Sequence, residues 1–284
     1  MSADQARRIA ATLRAAAAAL SGIPDGSPRR EAELLLMEAT GWTHSHLLAW
    51  PERELAPAAA ARFDHLLARR LTGEPIAYLR GRQSFWSLEL RVSPATLIPR
   101  PETELLVETA LARLPADQAI RVADLGTGSG AIAAALASER PGWQLIATDR
   151  SASALALARD NFTALGLDGV SCLCGDWLAA CGPASLDAIL GNPPYIAGDD
   201  PHLARGDLRF EPRAALTPGG DGLDAIRHIL SDAGRCLRQD GMLAVEHGYD
   251  QGEQVNHLFR AAGLRQVETL RDLAGLDRVT LGYR

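Results

Sequence analysis

Residues 120–139 read IRVADLGTGSGAIAAALASE. Val122 to Leu125 form a short apolar run of the length of a buried strand, and Gly126, Gly128 and Gly130 follow at alternate positions. Residues 131–139 have the composition of a helix. Glycines let a backbone turn sharply and approach a ligand closely, and a helix N-terminus favours negative charge. The stretch thus predicts a strand, a ligand-cradling turn and a helix. Gly126-Thr127-Gly128-Ser129-Gly130-Ala131 also satisfies the looser dinucleotide fingerprint G-x-G-x-x-G/A. A plain strand-to-helix turn is the bland alternative, and the downstream sequence argues against it.

The next strand, QLIATD (144–149), closes on Asp149. That acid falls about 20 residues after the glycine turn, where a nucleoside-type cofactor offers ribose hydroxyls. A third strand, VSCLCG (170–175), leads into Asp176-Trp177, an acid and an aromatic suited to an adenine ring. A helix cap and a core-edge tryptophan would look the same. The fourth strand runs into a turn in LDAILGNPPY (186–195). Pro193 and Pro194 have fixed φ and no N–H, so the turn is stiff and presents carbonyl acceptors without competing donors. Asn192 adds a side-chain oxygen and Tyr195 a flat aromatic face. Two acceptors beside a π surface suit a planar –NH2 group: a glutamine amide, or the exocyclic amine of adenine or cytosine. Hydride transfer has no evident use for such a turn. S-adenosylmethionine (SAM) is therefore favoured over a nicotinamide cofactor.

From about residue 100 onward helices and strands alternate, which implies a doubly wound sheet. Later elements are a helix (222–237), a strand (242–247), a helix (251–262) and two strands near 266–271 and 278–283. Two successive strands without a helix between them make the last one antiparallel. Residues 1–80 read as a small helical domain, with helices from Ala3 to Leu20, over 30–40 ending at Gly41, and from Pro57 to near Gly73. In QSFWSLELRVS (83–93), Trp86, Leu88, Leu90 and Val92 alternate on one face of a strand, half of a hairpin-like linker spanning 81–97. Residues 98–284 form the catalytic domain. The connection 196–221, rich in Gly, Pro, Asp and Arg, is long enough to be functional.

Composition narrows the chemistry. The 284 residues are 47% hydrophobic, ample for buried cores. The net charge of −6 argues against a large basic surface for stable nucleic-acid binding. Every basic side chain is arginine, so Schiff-base catalysis and a Walker-type loop are excluded, since each needs lysine. Cys172, Cys174, Cys181 and Cys236 form no CxxC pair and no histidine has zinc-finger spacing, so no metal site is expected. Reduced thiols, no membrane-length apolar run and no signal-peptide core fit a cytoplasmic protein. His247, after Glu246 at a strand end, is better read as a polar residue at the sheet edge than as a base.

Asp124 lies in Asp-x-Gly-x-Gly-x-Gly, the form of this loop in class I methyltransferases. DLGTGSGAIA, the Asp-Trp pair, GNPPYI, DPHLARGDLRFEPRAAL, EHGYDQGE, IPRPETE (98–104) and the ending DRVTLG together resemble the peptide chain release factor glutamine methyltransferases. The likeness runs almost continuously through the catalytic half and extends to the helical N-terminal region. It implies a Rossmann-like class I SAM-dependent methyltransferase domain behind a substrate-docking helical domain. It also implies methyl transfer from SAM, leaving S-adenosylhomocysteine, to the glutamine amide of the Gly-Gly-Gln motif in class 1 release factors.

Carried over by position, Gly126, Thr127, Gly128, Ser129 and Gly130 wrap the cofactor, Asp149 binds its ribose and Trp177 contacts the adenine. Asn192 sits where cofactor and substrate meet. Asn192, Pro193, Pro194 and Tyr195 hold the glutamine, with Asn192, Pro193 and Tyr195 carrying catalysis. Arg100, Pro101 and Glu102 lie near the cofactor pocket. The same motifs leave open a glutamine methyltransferase acting on a ribosomal protein. They also leave open an adenine-N6 nucleic-acid methyltransferase, which needs base flipping and a basic cleft, and a binding module without transferase activity.

Overall fold

The computed structural model describes residues 7–24 and 26–284, which divide into two units. The first holds the helices up to Gly81 together with Ala204–Phe210. Its helices are α1 (Ile9–Leu20), α2 (Pro28–Thr40), α3 (His44–Ala49), α4 (Pro57–Leu71) and α5 (Ile76–Arg80). Ala3 to Ala6, where the first helix was expected to begin, lie outside the described residues. Pro28 and Pro57 open α2 and α4, where a missing N–H costs nothing. Gly41 ends α2 at φ 73°, a left-handed cap. Ile9, Leu13, Ala16 and Leu20 recur at helical spacing and bury against Leu35, Leu36 and Phe63. Arg70 is 3% exposed. Its Nε and Nη2 donate to Glu31 at 2.8 and 3.0 Å, and its Nη1 to Asp207 Oδ1 at 3.0 Å. That pairing fastens the segment 204–210 to α2 and α4.

The second unit opens on a hairpin, β1 (Arg82–Phe85) and β2 (Leu88–Arg91), with Phe85 opposite Leu88. The expected single strand over 83–93 is broken at Trp86, whose φ is 55°. Left-handed backbone is costly for a bulky residue. It is held by two bonds, from the Trp86 amide to Glu104 Oε1 and from its indole to Glu139 Oε1, each 2.7 Å. Phe85 and Leu90 are buried in this unit's core.

The elements that follow are α6 (Glu104–Arg113), β3 (Arg121–Leu125), α7 (Ala131–Glu139), β4 (Gln144–Asp149), α8 (Ala152–Ala164), β5 (Ser171–Cys174) and β6 (Leu186–Gly191). After a short α9 (Arg213–Leu216) come α10 (Asp224–Cys236), β7 (Leu237–Glu246), α11 (Gly252–Ala261), β8 (Arg265–Arg271) and β9 (Asp277–Tyr283). The sheet order is β5-β4-β3-β6-β7-β9-β8. β3 to β7 pair in parallel, and β9 runs antiparallel to both neighbours, the reversed final strand expected of the sequence.

The strands are buried on both faces. Val122, Ala188 and Leu190 join a core with α6 and α7, while Ala123, Leu125 and Ile189 join one with α10 and α11. From β3 the chain winds outward through β4 to β5, then crosses to β6 on the other side. The switch point therefore lies between β3 and β6, where open α/β sheets bind ligands beyond their strand ends.

Candidate active site

Strand register assembles the site. Leu125 pairs with Gly191, so the glycine turn and Asn192 leave the sheet side by side. Leu125 also pairs with Thr148, and Asp149 with Cys174, which brings Asp149 and the Asp176-Trp177 pair to the same edge. A cleft of about 450 Å³ opens there. That volume is within the usual range for a small-molecule site.

Gly126, Thr127, Gly128, Ser129, Asp149, Trp177, Asn192 and Pro194 line the cleft, as do Arg100 and Thr103. Gly130, Pro193, Tyr195 and Glu102 do not line it. The glycines of the turn do different work. Gly128 has φ 56°, and a Cβ there would meet no atom closer than 3.9 Å, because it would occupy the cleft itself. Gly130 has φ 86°, and its Cβ would fall 2.7 Å from Phe162 Cζ, inside the packed core. A Cβ on Gly126 would lie 3.3 Å from the Trp177 ring. Trp177 itself has φ 44°, a left-handed backbone retained at the cleft wall.

Carboxylates brace the turn. Asp149 accepts from the Gly128 amide at 3.1 Å and the Ser151 amide at 2.8 Å. A carboxylate has about four acceptor sites, so Asp149 keeps lone pairs for a ligand hydroxyl. Asp124 is fully buried, and its Oδ2 accepts from Thr127 Oγ1 at 2.5 Å and the Ala133 amide at 3.2 Å. Burial pushes its pKa up to about 6, with the two hydrogen bonds opposing the rise. Arg100 and the Ile98 amide both donate to buried Glu211, fixing one wall of the cleft. A glycine cradle that a side chain would fill, a spare-acceptor acid and an aromatic wall fit a nucleoside-type cofactor.

The Asn-Pro-Pro-Tyr turn is held from behind. Asn192 Nδ2 donates to Thr103 Oγ1 at 3.0 Å, which leaves the amide oxygen as the free end. The Tyr195 carbonyl accepts from Gln251 Nε2 at 3.0 Å, and its hydroxyl donates to Glu246 Oε1 at 3.2 Å. Burial and the Glu246 charge raise the Tyr195 pKa, so the phenol stays protonated. Gly222 is required here, since a Cβ would fall 2.2 Å from the Tyr195 carbonyl. His247 directly follows the last residue of β7 and is buried there. Its Nδ1 meets the Gly248 carbonyl and its Nε2 the Thr280 hydroxyl, each at 2.9 Å, so the ring is spoken for. Burial lowers its pKa. Thr103 and Glu246 carry no local signal of a role, and only long-range packing brings them to Asn192 and Tyr195.

This sheet order, with a glycine-lined cleft at its switch point, defines a class I methyltransferase domain. A solved methyltransferase from Pyrococcus furiosus shares the fold, with a TM-score of 0.53 at 17% identity over 78% of this chain and 98% of that one. Family models match for the PrmC N-terminal domain over residues 11–81 and the methyltransferase small domain over 101–261. The chain is 54% identical to the release factor glutamine methyltransferase of Pseudomonas aeruginosa, covering 92% of this chain and 95% of that protein. It is 50% identical to the one named so in Escherichia coli K12, over 90% and 92%. The chain belongs to the release factor glutamine methyltransferase family.

Proposed function

We propose that this protein transfers a methyl group from SAM to the side-chain amide nitrogen, N5, of the glutamine in the Gly-Gly-Gln motif of class 1 release factors. The observation that carries the reading is the Asn192–Thr103 hydrogen bond. It turns the Asn192 oxygen into the available acceptor beside the glycine-lined cleft. Gly126 to Ser129, Asp149 and Trp177 are the cofactor-binding set in this reading, with Gly130 packed against Phe162 behind the turn. When bound, SAM supplies an electrophilic methyl group.

An amide nitrogen is a poor nucleophile because its lone pair is delocalised into the carbonyl. Asn192 Oδ1 and the Pro193 carbonyl accept its two hydrogens, which localises density on nitrogen and aims it at the cleft. Pro194 and Tyr195 shape the pocket around the amide. Holding the reactants in line is worth up to about 7–11 kcal/mol. Acceptors that tighten as nitrogen becomes positive add electrostatic stabilisation. Proton loss follows transfer, so no dedicated base is needed. The helices up to residue 80 serve to dock the release factor, and the protein acts in the cytoplasm, where translation takes place. Among the described residues no helix is long and apolar enough to cross a membrane.

Asn192→Ala tests the assignment. Turnover on a class 1 release factor falls by about 10²–10³, as for loss of one preorganised polar contact, while SAM affinity by calorimetry changes little. Near-wild-type turnover rules the role out.

A further inference from the structure

Residues 271–278 read RDLAGLDR and span the turn between β8 and β9. Surface turns are built mainly from Gly, Pro and small polar residues. Here the polar side chains are consumed within the turn itself. Asp272 Oδ1 accepts from the Ala274 and Leu276 amides at 2.9 and 3.0 Å, and its Oδ2 accepts from Arg278 Nη2 at 3.2 Å. Arg271 Nε donates to Asp277 Oδ1 at 2.9 Å. The backbone closes too, with the Asp272 amide on the Leu276 carbonyl and the Gly275 amide on the Asp272 carbonyl, each at 2.9 Å. The large side chains left facing solvent are apolar: Leu273 is fully exposed and Leu276 is 42% exposed.

Topology carries this turn to the catalytic edge. β9 runs antiparallel to β7, so the start of β9 lies beside the end of β7, where the His247 amide donates to the Arg278 carbonyl at 2.9 Å. Tyr249, 62% exposed, sits in the turn after β7. That turn is tied to the Asn-Pro-Pro-Tyr turn: the Gly248 amide donates to Gln251 Oε1 at 2.9 Å, and Gln251 Nε2 holds the Tyr195 carbonyl. Among the described residues of this unit, the exposed large hydrophobic side chains are Leu173, Tyr249, Leu273 and Leu276, and all but Leu173 gather at this edge.

We propose that Tyr249, Leu273 and Leu276 form a docking patch that seats an apolar side chain of the class 1 release factor, close in its chain to the Gly-Gly-Gln motif. This rests on the reading of that glutamine as the methyl acceptor.

The strand order β6-β7-β9-β8 and a strand spacing of about 4.8 Å put the patch about 10–15 Å from Asn192. An extended chain covers that distance in about three to five residues. A Gly-Gly-Gln loop sends one side chain into the cleft and has two residues with none, so it offers little else to grip. Residues a few positions away supply the remaining contact, and those are the ones that fall over the patch. Both arginines of the hairpin turn are held by its own aspartates, so the surface suits an apolar protein segment and not a phosphate backbone. A leucine presented on a turn already fixed by hydrogen bonds also loses little freedom when a partner covers it.

The test measures methylation of an intact class 1 release factor, SAM affinity by calorimetry and melting temperature. Wild type is compared with Leu273→Ala, Leu273→Asp, Leu273→Met and Tyr249→Ala, and with Leu173→Ala on the opposite edge strand β5 as control. Side chains this exposed contribute little to folding, so melting temperature and SAM affinity stay at wild-type values. Leu273→Ala and Tyr249→Ala each raise KM for the factor about 5–30-fold, with kcat at saturation within about twofold. Leu273→Asp raises KM further, because it buries a charge against an apolar partner. Leu273→Met, which keeps the apolar contact, and Leu173→Ala stay near wild type. Wild-type KM in both Leu273→Asp and Tyr249→Ala overturns the inference while leaving the methylation reading intact. A free enzyme that self-associates, and that Leu273→Asp makes monomeric without changing KM, also overturns it and assigns the patch to a second copy. Absence of methyl transfer by the wild type strikes the methylation reading, and this inference with it.

Discussion

Gly130→Ala and Gly128→Ala separate the two duties of the glycine turn. At Gly130 the backbone has φ 86°, which costs an alanine about 1–2 kcal/mol. The new methyl would also fall 2.7–2.8 Å from the ring of Phe162 and 3.3 Å from Ala158 Cβ. Phe162 is 2% exposed and packed among Ala131, Leu145 and Ala158, so it has little room to give. Overpacking of this kind costs about 1–3 kcal/mol. Together Gly130→Ala should lose about 2–5 kcal/mol of stability, or about 5–20 °C in melting temperature for a unit of this size.

At Gly128 the backbone strain is similar, but nothing lies within 3.9 Å of the added methyl. Its melting temperature should fall less, by about 2–8 °C. The methyl enters cofactor space instead, so SAM affinity should weaken about 5–150-fold, and Gly128→Val should abolish binding. Circular dichroism melts and SAM calorimetry on both alanine variants give the four numbers. Equal melting losses, or a Gly128→Ala variant that binds SAM normally, would refute this division.

Two further outcomes follow from buried charges. Arg70→Ala leaves Glu31, 8% exposed, without its partner, and should destabilise the helical unit by about 3–5 kcal/mol. Hydrogen exchange would report this as lost protection in α2 and α4, and unchanged protection would contradict it. Asp124→Asn can keep an oxygen toward Thr127 and Ala133 while removing a charge whose pKa is raised by burial from 3.8 to about 6. A raised carboxyl pKa means that wild-type stability is lost as pH climbs through that window, whereas asparagine is indifferent. The melting advantage of Asp124→Asn should therefore grow between about pH 4 and 6 and level off above. An advantage that shrinks over that range would show the sign to be wrong.

The parts of the site that are legible in the sequence are those with a local cause. A glycine turn after an apolar strand, an acid closing the next strand and a proline-stiffened turn each announce themselves within about ten residues. The sheet then brings them together by register alone, with Leu125 beside Gly191. What escapes a sequence reading is set by distant partners. Trp86 looks like a strand residue by alternation, and only its bonds to Glu104 and Glu139 reveal the turn. His247 reads correctly as a polar residue at a strand end, but nothing local says that it is buried with Gly248 and Thr280 as partners. Asp207 sits in a polar loop whose attachment to α2 and α4 depends on Arg70, 137 positions away. Thr103 and Glu246 are ordinary side chains in sequence and become informative only once Asn192 and Tyr195 are seen against them.

The central claim is that the Asn-Pro-Pro-Tyr turn presents a glutamine amide, not a nucleobase amine, to the methyl donor. Its most direct test uses methyl-labelled SAM with three acceptors: a class 1 release factor, the same factor with Gln→Ala in its Gly-Gly-Gln motif, and adenine-containing DNA. The account predicts label on the first alone, mapped by mass spectrometry to that glutamine side chain. Label on the DNA, or equal label on the Gln→Ala factor, would contradict it.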